Sequence, residues 1–461
     1  MPGDSKSVDF QRSVDAVWRI ESARLIASLT RIVRDVGLAE DLAQDALVAA
    51  LERWPKTGIP HNPGAWLMAA AKNRAIDLLR RNKLLDRKHE QLGYELESTR
   101  QLTPDQINDA LDDPVGDDLL RLIFISCHPI LAPEARVALT LRLLGGLTTD
   151  EIARAFLAAE PTIAQRIVRA KRTLTQARIP FEVPRGDEFT SRLTSVLQVI
   201  YLIFNEGYSA TAGDDWTRPA LCEEALRLGR ILAELVPSES EVHGLVALME
   251  IQASRLNARV GPGGEPILLL DQDRSRWDQI LIQRGLSALE HAQHLLHTAP
   301  DATPRGGSQK AGSQNEVTIP AAGPYTLQAA IAACHARALT AEATDWHRIV
   351  QLYTQLLQLN PSPIIELNRA VAVSMASGPA AALPLIDALA GHAALSSYHL
   401  LPSVRGDLLQ KLGRPEEARA EFERAMALTR NERERTLLLE RAKAVSATSP
   451  GEASPACFQK T

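Results

Sequence analysis

Ile163, Ile167, Ala170 and Leu174 fall at i, i+4, i+7 and i+11, a spacing that an α-helix gathers onto one side. Pro161 stands just ahead of them, in the first helical turn, where its missing N–H costs nothing. Upstream, Thr148 followed three residues later by Glu151 forms a capping box that opens a separate short helix. Ile152 and Phe156 supply its inner face, and it is expected to stop near Ala159. The same period returns along most of the chain. Strands draw on β-branched and aromatic residues, and aromatics make up only 4% here. The expected fold class is therefore all-α, and 461 residues suffice for two to four helical domains.

Residues 9–82 read as helical, with breaks at Gly37 and over the loop "WPKTGIPHNPG". Residues 83–118 are polar, end in the Asp-rich "DALDDPVGDD", and read as a linker. Helical period resumes over 119–180 and stops at "IPFEVPRGDEF". A helical middle domain over 189–298 is interrupted by "VGPGGEPILLLDQDRSRW", a loop or small hairpin. Residues 299–323, rich in Gly, Ser, Pro and Gln, read as a flexible insertion. Helices return over 324–445, and 446–461 read as a disordered tail. Within 324–445 the turns at Gly378–Pro379 and Gly413–Pro415 lie about one tetratricopeptide repeat apart, a period of ~34 residues. Ala418, Phe422 and Ala425 add the small and apolar packing positions of paired repeat helices, so tetratricopeptide-like C-terminal helical repeats are expected.

A net charge of −5 gives no global attraction to nucleic acid, so any such surface must be local. One is visible. Thr162, Gln165, Arg166 and Arg169 share the face opposite the apolar stripe, and Lys171 and Arg172 are placed to hold phosphates. Two short helices with a tight turn, the second offering Arg for guanine and Gln for adenine, make a helix-turn-helix reader. A charge run is commonly just a solvated face, but the capped helix and turn before this one favour the reader. Nearer the N-terminus, "AEDLAQDALVAALERW" turns Leu47, Leu51 and Trp54 inward and presents Asp41, Gln44 and Asp45 on one face. "NPGAWLMAAAKNRAIDLLRR" then places Asn73, Asp77 and Arg80 at i, i+4 and i+7, with Arg74 and Arg81 beside them. Such a mixed polar and basic face can grip a backbone and read exposed bases.

These two N-terminal stretches resemble region 2 of bacterial sigma factors of the extracytoplasmic-function group, and residues 119–178 resemble region 4. The resemblance implies a region 2 helical bundle, a region 4 helix-turn-helix domain, and two partners: core RNA polymerase and promoter DNA. It implies that Asp41, Gln44 and Asp45 dock on the polymerase clamp helices. It also implies that Asn73, Arg74, Asp77, Arg80 and Arg81 lie at the melted −10 strand, and that Thr162, Gln165, Arg166, Arg169, Lys171 and Arg172 lie at the −35 duplex. The loop "PKTGIPHNPG" is then the candidate pocket for an unpaired −10 base; Trp54 and Trp66 are read as core residues. "DDLLRLIFISCHPILAPEA", "YLIFNEGY", "LLLDQDRSRWD" and "GPYTLQAAIAA" resemble a subgroup with a long C-terminal extension carrying tetratricopeptide repeats, a further docking surface for a protein partner. The insertion over 299–323 departs from that pattern.

Other constellations point to plainer roles. His291, His294 and His297 recur every third residue, without a Cys or carboxylate pair nearby, so an ordinary helix end is favoured over a metal site. Cys127–His128 reads as a helix-end pair rather than a thiol sensor. Glu206, Asp271, Asp273 and Asp278 have no nucleophile or metal beside them, and no phosphate-cradling loop is present, so neither an enzyme nor a cofactor is expected. Four scattered cysteines, no signal segment and no ~20-residue apolar run point to the cytoplasm and to no membrane contact. The competing reading is a helix-turn-helix activator or repressor with a tetratricopeptide sensor, which would have no need of the pattern over 41–81.

Overall fold

The computed structural model describes residues 2–90, 115–156, 158–209, 217–263, 265–298, 322–429 and 431–447. These form eighteen α-helices and no strand; the expected hairpin is reduced to one bridge between Val260 and Pro266. The chain divides into two compact units, Met1–Ile200 and Tyr201–Thr461. Of the expected insertion over 299–323, residues 299–321 lie outside the described residues, as do 448–461 of the expected tail over 446–461, whose first two residues are helical.

The first unit begins with α1 (Pro2–Val33), α2 (Val36–Thr57) and α3 (Pro63–Glu90), which pack on one another. The break between α1 and α2 is not at Gly37. Arg34 adopts a left-handed conformation, φ 55°, and Asp35 caps α2 by accepting the Leu38 N–H at 2.8 Å. Gly37 instead sits in the first turn of α2, where a Cβ would come within 3.1 Å of that capping carboxylate. At its other end α2 runs through Pro55 to Thr57, so the expected loop shrinks to residues 58–62. Asn62 caps α3 by accepting from the Ala65 N–H, with Pro63 in the first turn. Trp54 is buried and packs edge-on against Trp66 at 5.4 Å.

α3 continues to Glu90, past the expected boundary at 82, because "RRNKLLDRKHE" holds no helix breaker. α4 (Val115–Ser126) likewise opens inside the expected linker. Asp118 is not a solvated linker acid: it is buried and pairs with Arg31 at 3.0 Å and Arg121 at 2.6 Å. α5 (Pro133–Leu143), α6 (Thr149–Ala155) and α7 (Glu160–Gln176) follow. The Thr148–Glu151 capping box is formed in both directions, at 3.1 and 2.8 Å, and α6 stops four residues before Ala159. Ile163, Ile167, Ala170 and Leu174 are all buried, as their spacing requires.

α8 (Asp187–Tyr208) was expected to open the middle domain, but its first half completes the core of the first unit. Arg192 donates to the Phe124 carbonyl at 3.1 Å, the Ser195 hydroxyl donates to the Cys127 carbonyl at 2.6 Å, and Phe189 packs on Phe124.

In the second unit, α9 (Pro219–Leu235), α10 (Ser240–Ala253), α11 (Gln279–Thr298), α12 (Pro324–Arg337) and α13 (Trp346–Leu359) lead into α14 (Pro363–Ser377), α15 (Pro379–Leu389), α16 (Leu400–Lys411), α17 (Pro415–Leu428) and α18 (Glu432–Ala447). Each helix packs on the next in sequence. Gly378 and Gly413, at φ 90° and 73°, make the two expected turns, and Ala418, Phe422 and Ala425 are fully buried. The motifs singled out in this half act as fasteners. Arg274 of "DQDRSRW" donates to the carbonyls of His335 and Ala338, both at 2.6 Å, and its guanidinium lies 4.9 Å from the Trp277 ring. Asp278 caps α11 through the N–H groups of Ile280 and Leu281. Tyr208 of "NEGY" receives a hydrogen bond from Arg255 at 2.6 Å and carries Arg259 over its ring at 3.8 Å, while Glu206 pairs with Arg218.

Candidate nucleic-acid interface

The basic face is built on α7, which packs on α5 and α6 through its buried stripe. That packing leaves Thr162, Gln165, Arg169 and Arg172 exposed and Arg166 half-buried. Among the described residues Arg166, Arg169 and Arg172 enter no ion pair, so three guanidiniums on one short helix keep their charge for an outside anion. Lys171 departs from its expected place. Its ammonium pairs with buried Glu40 of α2 instead of standing free for phosphate.

On the N-terminal helices, Asp41 and Asp45 are exposed on α2, whereas half-buried Gln44 donates to Glu40 at 2.6 Å. Asn73, Asp77 and Arg80 stand exposed along α3. Arg74 is half-buried, with Nη1 enclosed and lacking a hydrogen-bond partner. Such a donor is costly to leave unmet. The side chain of Arg81 lies outside the described residues.

The residue that sequence reasoning missed is Glu40. It is 2% exposed and draws together Gln44, Lys171 and, at 2.6 Å, Arg142. Thr175 donates to Asp35 at 2.9 Å, and Arg19 pairs with Glu151 at 2.8 Å, so α1 and α2 are tied to α6 and α7 at three places. A signal was present. Glu40 lies four residues after Val36 and three before Ala43, in register with the buried stripe of its helix, and a carboxylate there needs buried cations.

The remaining candidates have structural roles. Cys127 is buried, its Sγ 3.4 Å from the Thr140 hydroxyl, and burial pushes its thiol up, away from a reactive thiolate. His291 meets His243 edge to face, ring centroids 4.4 Å apart, and no metal-holding cluster occurs among the described residues. Asp273 caps Ser275 and Asp278 caps α11, which leaves neither poised for hydrolysis. Among the described residues no helix is long and apolar enough to cross a membrane.

Comparison with known proteins agrees with this layout. Residues 19–84 match Sigma-70 region 2, residues 121–174 match Sigma-70, region 4, and residues 192–293 match a family of unknown function, DUF6596. An uncharacterized protein of Rhizobium meliloti (strain 1021) is 42% identical over 407 residues, covering 88% of this chain and 89% of its own. The probable ECF RNA polymerase sigma factor SigI of Mycobacterium tuberculosis is 27% identical over 170 residues, which are 37% of this chain and 57% of that protein. A free-standing activator would not carry region 2, so that alternative is set aside. With regions 2 and 4 lying on the helices that hold the polar and basic faces, the chain belongs to the sigma-70 family as a sigma factor of the extracytoplasmic-function group, a non-enzymatic protein that directs transcription initiation through core RNA polymerase and promoter DNA and carries a C-terminal extension of unknown function.

Proposed function

We propose a division of labour within this cytoplasmic sigma factor. Asp41, Gln44 and Asp45 engage core polymerase. Asn73, Arg74, Asp77, Arg80 and Arg81 take the melted −10 strand. Thr162, Gln165, Arg166 and Arg169 read the −35 major groove, with Arg172 on phosphate. Lys171 joins Arg172 once its tie to Glu40 is released. The extension, with tetratricopeptide-like repeats over 324–445 and a surface for a protein segment, is required for initiation rather than inhibitory. The observation that carries the −35 assignment is the row of unpaired guanidiniums opposite a buried stripe on the second helix of a capped helix-turn-helix.

The polymerase face is separable from the DNA faces because Asp41 and Asp45 point away from the buried stripe of α2. Asp41→Ala combined with Asp45→Ala should weaken co-elution with core polymerase while helicity stays unchanged. Undiminished co-elution would remove these residues from the polymerase interface.

A further inference from the structure

A cavity of about 1090 Å³ opens inside the second unit, where the end of α8, helices α12 to α14 and the junction of α17 with α18 converge. That is just above the ~300–1,000 Å³ of ordinary small-molecule pockets. Tyr201, Tyr208, Tyr353 and Tyr398 line it together with the apolar side chains of Leu202, Leu356, Ile364 and Ile365. Burial pushes the phenols of Tyr201, Tyr353 and Tyr398 up, the last to about 12, so all three stay neutral.

Several polar groups in the wall are already held by the protein. The Tyr201 hydroxyl donates to Gln328 at 3.1 Å. Glu206 pairs with Arg218, Glu434 with His399 at 2.9 Å, and Arg435 with Glu432. Glu206 and Arg435 are thus paired within the protein, and the wall carries two carboxylates, Glu206 and Glu434, against one arginine, so an anion finds no counter-charge there. Two hydroxyls stand apart, those of Ser209 and Tyr353. Tyr353 is 1% exposed, and its Oη has no hydrogen-bond partner. Leu202 and Ile364 also line the cavity but remain 39% and 42% exposed, which places them where it meets solvent.

We propose that this cavity binds a small, uncharged organic molecule with a flat apolar body and a carbonyl or hydroxyl oxygen. The body lies against the tyrosine rings, and the oxygen accepts the Tyr353 hydroxyl proton. Nucleotides and other phosphates are disfavoured by the Glu206 and Glu434 carboxylates in the wall. A metal ion has no ligand cluster here among the described residues. The site rests on the geometry of the second unit alone, so its failure would leave the sigma-factor assignment untouched.

Nile red is a suitable probe, being flat, neutral and equipped with a carbonyl oxygen, and its fluorescence rises in apolar surroundings. Titrated into the full chain, it should saturate at one dye per chain. Ile364→Trp, which fills the entry, should weaken binding at least tenfold. Tyr353→Phe keeps the ring and removes only an unpartnered hydroxyl, so it should fold normally and weaken binding about threefold to tenfold. Ile280→Ser, at an exposed apolar residue outside the cavity, should leave the titration unchanged. Non-saturating binding, or a titration that responds to Ile280→Ser and not to the two cavity variants, would overturn the proposal. If Ile364→Trp lowers the melting temperature, Tyr353→Phe decides: unchanged affinity counts against the site.

Discussion

At the scale of single residues, exposure and partnering separate readers from fasteners. Gln165 and Arg166 sit on the outward side of α7, so Gln165→Ala or Arg166→Ala should relax preference at one or two −35 positions, by ~1–3 kcal/mol per lost bidentate contact. Arg172→Ala should instead lower affinity evenly across sequences and reduce its salt dependence. Competition binding against −35 variants checks both, and equal losses on every sequence would reduce α7 to a backbone clamp. His128 offers a second test. Burial and the nearby Arg192 guanidinium hold its imidazole down at about 4, and its Nδ1 accepts the Ile130 N–H at 3.1 Å. The unfolded chain takes up that proton near pH 6.5, so stability present above pH 6.5 should be lost as pH falls towards about 4. His128→Asn should flatten that slope in denaturant midpoints measured across this window, and an unchanged slope would show that other groups carry it.

At the scale of helices, the pieces that follow local rules were legible in the sequence. The 163–174 stripe, the Thr148–Glu151 box and the turns at Gly378 and Gly413 depend only on neighbours a few residues away. The α1–α2 break escaped because it rests on a left-handed Arg34 and an Asp35 cap, while Gly37 is the conspicuous residue nearby. The role of Lys171 escaped for a different reason: its partner Glu40 lies on another helix, as does Arg142, 102 residues from Glu40 in sequence. A carboxylate buried between two cations is strongly coupled to both. Glu40→Ala should destabilise the chain by about 2–3 kcal/mol in denaturant unfolding. That is less than a fully buried pair would lose, because Arg142 and Lys171 keep about a fifth of their exposure. A loss below about 0.5 kcal/mol would place the pairing among ordinary surface contacts.

At the scale of the whole molecule, sequence period places a break before 189, while packing divides the chain after Ile200. "IPFEVPRGDEF" marks a break in helical period, and the DUF6596 match begins just after it at 192, yet the first half of the following helix packs in the first compact unit. Arg192 and Ser195 bond to carbonyls of 124 and 127, so α8 up to Ile200 belongs with the first unit. No periodicity reveals which core a buried helix will join. A truncation after Pro184 would therefore strip Leu193, Val196, Leu197 and Ile200 from the first unit as well as removing the extension. The informative cut lies after Ile200. The claim that the extension is a required part of this sigma factor is tested most directly by promoter-dependent transcription with core polymerase, comparing the full chain with residues 1–200. The expected result is loss of transcription by 1–200 while co-elution with core and helicity are retained. Equal or higher transcription by the truncated chain would contradict it.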